Sequence, residues 1–339
     1  MDKQLILAVA GSGKTYHIVK ELDLEKRYLL VTYTISGIGS IKNEVINKFG
    51  FLPKNIKIKN YFSFLYSFLY SFCYKPFFAD EHNVKGISWN YPKSFFDTSF
   101  FTKNNYLYHN RISKLLLDKN NIQEVKERVE KYYDYVLFDE IQDFGGNDFN
   151  FLLELAQSNV NFLLVGDFFQ HTFDTSRDKN TNQSLHSSLD KFKERFKSSG
   201  FIFDNTTLIK SRRCSKTTCD FIQNRIGIKI ESNESRITEC ELIVDKENVK
   251  EIFENDNIVK LFLTKHYSYE CRSDNWGACK GLGFDNVCIV INDELLKQFK
   301  SGGLINFKSN ITRNKFYVAC SRTRNNLYFV PNKIIKKIK

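Results

Sequence analysis

Leu5-Ile6-Leu7-Ala8-Val9-Ala10-Gly11-Ser12-Gly13-Lys14-Thr15 is an apolar run, then a turn of small residues, then a lysine and a threonine that open a helical pattern. The phosphates of a nucleoside triphosphate require this order of strand, loop and helix. Glycines let main-chain N–H groups turn inward on phosphate oxygens, Lys14 adds a point charge near the β- and γ-phosphates, and the Thr15 hydroxyl is a ligand for Mg²⁺. Ala8 fills the first position of the usual glycine pattern with another small residue. Ala10, Gly11, Ser12, Gly13, Lys14 and Thr15 are therefore the expected binding residues for ATP or GTP.

Outward from this loop, short apolar runs at Leu5 to Val9, Tyr28 to Tyr33, Tyr135 to Phe138 and Asn161 to Val165 predict buried parallel strands. That pattern is α/β. The stretch from Phe51 to Lys131 is rich in phenylalanine and tyrosine and too long for a loop, which predicts a mostly helical subdomain inserted at about 65–130. Asp174 to Ser188 has loop composition. A second set of strands is expected at Thr207 to Ile209, Glu241 to Val244, Ile258 to Leu263, Val287 to Ile291 and Leu327 to Val330.

The 339 residues suffice for two domains with separate cores. The longest apolar stretch, Tyr61 to Phe72, is interrupted by Ser63, Ser67 and Ser71 and is too short to span a bilayer. With the N-terminus running straight from Met1-Asp2-Lys3 into the phosphate-loop strand, the expectation is a soluble, cytoplasmic protein without membrane contact. Eight scattered cysteines, without a C-x-x-C pair, read as reduced thiols. The net charge of +11 is compatible with a polyanionic partner, although much of it is dispersed lysine.

Tyr135-Val136-Leu137-Phe138-Asp139-Glu140-Ile141-Gln142-Asp143 is an apolar strand that ends in acids. Two adjacent carboxylates at a strand tip divide the labour of phosphoryl transfer to water: Asp139 holds Mg²⁺ and Glu140 polarises the attacking water. Phe162-Leu163-Leu164-Val165 runs similarly into Gly166-Asp167-Phe168-Phe169-Gln170, where Gln170 is a candidate to reach the γ-phosphate or that water.

D-E-x-Q-D and G-D-x-x-Q following A-G-S-G-K-T resemble the UvrD/Rep group of superfamily-1 helicases. Leu208-Ile209-Lys210-Ser211-Arg212-Arg213 is similar to the motif whose arginine reaches the γ-phosphate, here Arg213. Lys280-Gly281-Leu282-Gly283-Phe284 resembles K-G-L-E-F, and Phe316-Tyr317-Val318-Ala319-Cys320-Ser321-Arg322-Thr323-Arg324 resembles Y-V-A-x-T-R-A-R, with Arg322 as a second arginine finger. The resemblance implies two tandem RecA-like P-loop domains: the first at 1–200 with its reduced helical insertion, the second at 201–339. It implies an ATP- and Mg²⁺-dependent translocase or helicase on single-stranded or partly duplex DNA, moving 3′ to 5′. No identifiable residue reads a 2′-hydroxyl, so RNA stays open beside DNA. Small-molecule kinases, by contrast, have no use for this arginine set.

The resemblance also implies a nucleic-acid face. Tyr33 and Thr34 lie in a segment similar to T-F-T, and Tyr61, Phe62 and Ser63 in one similar to T-x-H-S-F; with Trp276 they are the candidates to contact unpaired bases. Three departures stand out. Only seven residues precede Ala8, leaving no counterpart of the family's base-reading glutamine; Arg212 replaces an aromatic and would lie over the base through its guanidinium plane; Gly283 replaces a glutamate. The large accessory insertion is missing, which keeps open a second reading, a DNA-stimulated ATPase switch that signals to a partner such as a nuclease or a repair or defence subunit.

Overall fold

The computed structural model describes residues 2–74, 84–92, 99–118, 122–176 and 181–338. The chain divides into two units, one built from Met1–Leu7, Lys14–Gly166 and Phe173–Asp204, the other from Ala8–Gly13, Asp167–Thr172 and Asn205–Lys339.

The first unit carries the strands β1 (Lys3–Leu7), β2 (Tyr28–Thr32), β3 (Ile56–Asn60), β4 (Gly86–Ser88), β5 (Tyr106–Tyr108), β6 (Tyr135–Asp139), β7 (Asn161–Gly166) and β8 (Ile202–Asp204). Six of them form a parallel sheet in the order β3-β2-β6-β7-β1-β8. Parallel neighbours need crossovers, and helices Lys14–Lys20, Ile35–Phe49, Gly146–Leu155 and Leu189–Lys197 lie in these connections. Every residue of β2 is buried, as expected of a strand covered on both faces. Helix Ile35–Phe49 starts where the Thr34 hydroxyl accepts from the Gly37 N–H and stops at Gly50, whose φ of 80° only glycine adopts cheaply.

The expected helical insertion is mixed in character. A helical segment Tyr61–Ser63 continues as a π-helix over Phe64–Tyr74, β4 pairs with β5 in parallel, and helices Ile112–Asp118 and Ile122–Tyr132 complete the described part. The positions 75–83, 93–98 and 119–121 of the expected insertion lie outside the described residues. Ile56-Lys57-Ile58-Lys59 alternates with period two, so this edge strand of the main sheet was legible, but the surrounding aromatic excess favoured a helix.

The second unit pairs β9 (Lys210–Ser211) with β10 (Glu231–Ser232). It also carries β11 (Cys240–Leu242), β12 (Ile258–Phe262), β13 (Ser273–Asn275), β14 (Asn286–Ile291) and β15 (Leu327–Pro331), a parallel sheet in the order β11-β15-β14-β12-β13. The strand expected at Thr207 to Ile209 is displaced to Lys210–Ser211, because the Leu208 carbonyl instead accepts from the Val9 N–H at 2.9 Å. β13 is polar throughout and has no apolar signature, a consequence of its edge position. Ile222, Leu261, Ile289, Phe316 and Phe329 form the core, and Ala10 packs into it. No described helix is long and apolar enough to cross a membrane.

Candidate active site

The expected site residues fall into two sets, one in each unit. In the first unit, helix Lys14–Lys20 starts with Lys14 and Thr15, and β6 delivers Asp139 at its last position. Glu140 follows in the left-handed region at φ 59°, ψ 42°. A non-glycine residue there costs on the order of 1 kcal/mol and persists only where its neighbours hold it. They do so on both sides. The Glu140 N–H donates to Asp139 Oδ1 at 2.9 Å, the Gln142 amide donates to Glu140 Oε2, and Lys14 Nζ lies 3.7 Å from Glu140 Oε1. The turn thus parts the two adjacent carboxylates: Asp139 Oδ1 is occupied by main chain, while Glu140 faces the lysine. Gly166, at the end of β7, makes room for this arrangement, since a Cβ there would lie 2.4 Å from Gln142 Oε1 and 2.6 Å from Ile141 Cγ2.

In the second unit, the phosphate loop is clamped against the segment that carries the candidate arginines. The Arg212 N–H donates to the Gly11 carbonyl at 2.9 Å. Gly11 and Gly13 hold φ of 72° and 89°. A Cβ on Gly11 would lie 2.7 Å from Arg213 Cβ and 2.8 Å from Ser211 Oγ; one on Gly13 would touch the Arg212 side chain at 3.7 Å. Arg212 therefore covers the loop's last glycine. The Ser12 hydroxyl is buried without a partner, an unmet polar atom in a loop whose glycines leave a cradle of bare main chain. This donor set suits phosphate oxygens, and Thr15 with Asp139 offers the hydroxyl and carboxylate that Mg²⁺ takes as ligands.

A buried polar relay runs from the loop to Arg322. The Ala10 N–H donates to Tyr317 Oη at 2.9 Å, the Tyr317 hydroxyl donates to Asp167 Oδ2 at 2.9 Å, and Gln170 Nε2 donates to the same oxygen at 2.8 Å. Gln170 Oε1 in turn accepts from Arg322 at 3.4 Å. Burial and the neighbouring Asp167 hold the Tyr317 phenol far above its ordinary pKa, so it stays a neutral donor. Arg322, only 2% exposed, also donates to the carbonyls of Val318 and Leu282 and to the Ser321 hydroxyl. Arg213 donates to the Ser321 carbonyl at 3.2 Å; burial, then Arg322, push its pKa down to about 10, which leaves it charged at neutral pH. Gly283, where the resemblance has a glutamate, places its ideal Cβ 3.4 Å from Arg213 Nε.

Tyr317 and Asp167 were visible inside quoted motifs, but their pairing across 150 positions was not. Tyr317→Phe strands the Ala10 N–H and removes one donor from Asp167. The expected loss is about 1–3 kcal/mol of stability, read as a lowered thermal midpoint.

The expected nucleic-acid residues differ in burial and in partners. Trp276 is 1% exposed, and its indole N–H donates to the Leu261 carbonyl at 3.0 Å, so it is a core residue rather than a stacking surface. Tyr61 is buried, with its hydroxyl on Asp148 Oδ1 at 3.1 Å and its ring edge-on to Phe144. Thr34 serves as a helix cap, and Ser63 is held by its N–H on Asn60 Oδ1. Tyr33 and Phe62 are half-buried; Tyr33 lies 5.4 Å from Phe173 and Phe62 lies 4.6 Å from Trp89.

This α/β architecture is that of superfamily-1 helicases. The chain is similar to arterivirus nonstructural protein 10, a helicase, in its complex with DNA: TM-score 0.51, 14% identity, with 99% of this chain and 63% of that one covered. A second structure of that helicase gives TM-score 0.51 and 15% identity over 96% and 59% of the two chains. At such identities the likeness speaks for the fold, and the chain spans about three-fifths of the length of these two. Among curated proteins none matches in sequence. Residues 94–331, more than half of the chain, match the viral superfamily 1 RNA helicase core domain, and the chain belongs to that family.

Proposed function

We propose that this chain hydrolyses ATP and uses it to move along single-stranded nucleic acid, with Lys14 and Glu140 as the central pair. The observation that carries this reading is Glu140, a carboxylate turned toward Lys14 by a left-handed backbone. Lys14 neutralises phosphate charge, and Glu140 accepts the proton of the attacking water. Thr15 and Asp139 are the residues that would hold Mg²⁺, which when bound would supply further positive charge at the phosphates. Arg213, charged and fixed beside Gly11, offsets charge that develops on the transferred group. Gln170 and Arg322 act as a pair, since each holds the other in place.

The finer assignment, a UvrD/Rep-like motor moving 3′ to 5′, rests on the order of the motifs from Ala8 to Arg324 alone, while DNA as the strand is in keeping with the DNA bound to the arterivirus helicase. The family's description names RNA. On this reading 1–200 and 201–339 act as the two RecA-like halves of the motor, in the cytoplasm.

The buried, four-partnered state of Arg322 favours a second reading, in which the chain is a nucleic-acid-dependent switch that acts on a protein partner such as a nuclease. An arginine held this way must let go of carbonyls before it can meet a phosphate. Steady-state ATP hydrolysis with and without single-stranded DNA or RNA at low salt, with Lys14→Ala as the blank, tests both readings. Stimulation together with displacement of a block on the strand is the expected result for a motor, and stimulation without displacement for a switch. Wild-type turnover no greater than that of Lys14→Ala under every condition overturns both.

A further inference from the structure

The insertion in the first unit carries a row of aromatic rings that, Phe62 apart, the motifs above do not account for. Tyr66 stacks on Phe62 at 5.7 Å and 13°, Phe62 meets Trp89 at 4.6 Å, Trp89 meets His109 at 5.4 Å, and His109 meets Tyr91 at 5.1 Å. The inner rings are half-buried, whereas Trp89 and Tyr91 at the outer end are 65% and 60% exposed. Large rings are seldom left to water in adjacent pairs, and these two sit on a supported base rather than on a free tail. β4 pairs with β5 beneath them, and His109 Nδ1 lies 3.2 Å from the Ser88 carbonyl, which fixes the imidazole. Burial lowers the His109 pKa, so the ring is a neutral, flat support at physiological pH. Burial, then Asp148 and after it Tyr91, raise the pKa of Tyr33, just past the end of β2, to about 12.

We propose that Trp89 and Tyr91, backed by Phe62 and His109, form a stacking platform for two unpaired bases of a single-stranded nucleic acid. The inference rests on the nucleic-acid reading above and adds to it a surface that takes over the role expected of Trp276 and Tyr61. Charge selects this occupant over an apolar protein surface. The described segments 84–92 and 99–118 that carry the platform contain Lys85, Lys103, Arg111 and Lys114 against a single acid, Asp118, with Lys85 and Lys103 facing solvent. Exposed rings with an excess of cations beside them suit a strand whose bases offer π-faces and whose backbone offers phosphates. Duplex bases have both faces covered by their neighbours, so the platform discriminates in favour of unpaired strands.

The chain provides its own reporter. It has two tryptophans, and with Trp276 sealed in the core, fluorescence quenching by a stacked base reports on Trp89. The full chain is titrated with 12-nucleotide oligo-dT, oligo-U and a blunt duplex, with binding followed independently by anisotropy of labelled strands. Saturable quenching by the single strands, none by the duplex, loss of the quenching signal in Trp89→Phe with affinity retained, and about tenfold weaker binding in Trp89→Ala are the expected results. Single-strand binding by anisotropy, with no quenching in the wild type and unchanged affinity in Trp89→Ala, overturns the platform and leaves the nucleic-acid reading standing. Quenching that follows protein concentration instead of oligonucleotide assigns the rings to a second copy of the chain and likewise overturns it. Absence of any oligonucleotide binding by the wild type at low salt overturns the platform together with the reading on which it rests.

Discussion

Glu140→Gln is expected to bind ATP nearly as well as the wild type and to hydrolyse it about 10²–10⁴-fold more slowly, the range for loss of a positioned general base. The substitution keeps volume and leaves an amide oxygen able to accept from Gln142, so the left-handed turn that the neighbours hold in place is retained. What disappears is the carboxylate beside Lys14 and with it the acceptor for the water's proton. Single-turnover hydrolysis and equilibrium binding of a fluorescent nucleotide separate the two effects. Wild-type turnover in this variant removes Glu140 from the chemistry. Loss of binding instead would show that the Lys14 pair is needed to shape the loop.

Gly11→Ala is expected to abolish nucleotide binding and to lower the stability of the second unit by about 3 kcal/mol. One part of the cost is conformational, because φ of 72° is the left-handed region, which disfavours alanine by about 1–2 kcal/mol. The other part is steric. The new methyl would lie 2.7 Å from Arg213 Cβ and 2.8 Å from Ser211 Oγ. Neither neighbour can swing away: a Cβ moves only with its backbone, and Ser211 Oγ is fixed by the N–H groups of Arg213 and Cys214. Overpacking of this kind costs about 1–3 kcal/mol more. A depressed thermal midpoint with no nucleotide binding at millimolar concentration is the predicted outcome. A variant of normal stability and affinity would mean that the loop opens away from Arg213 readily, which would weaken the assignment of that arginine to the γ-phosphate.

Much of the candidate site was legible because its chemistry is local. Gly11 to Thr15 and Asp139-Glu140 are contiguous, and the demands on them (positive φ, small side chains, paired carboxylates after an apolar run) act over a few residues. The aromatic segments were a different case. Tyr33, Tyr61, Phe62 and Trp276 have the composition of a stacking surface, and a ring's composition is the same whether it faces solvent or core. Trp276 went to the core because β12 and the helix Asn310–Cys320 close over it, and Tyr61 because Asp148, 87 residues away, takes its hydroxyl. Trp89 and Tyr91 carried no motif, and their exposure, just past the end of β4, is a feature of the folded chain alone.

The amino-acid sequence by itself determined that this is an α/β phosphate-loop protein of the superfamily-1 helicase kind, since loop geometry and buried parallel strands leave their marks in short, local patterns. Only the tertiary structure decided that Ala10, Tyr317, Asp167, Gln170 and Arg322 form one relay, that Arg322 rests on carbonyls, and which aromatic rings face water. These depend on contacts between residues far apart in the chain, and their energy arises only when packing removes water from both partners at once.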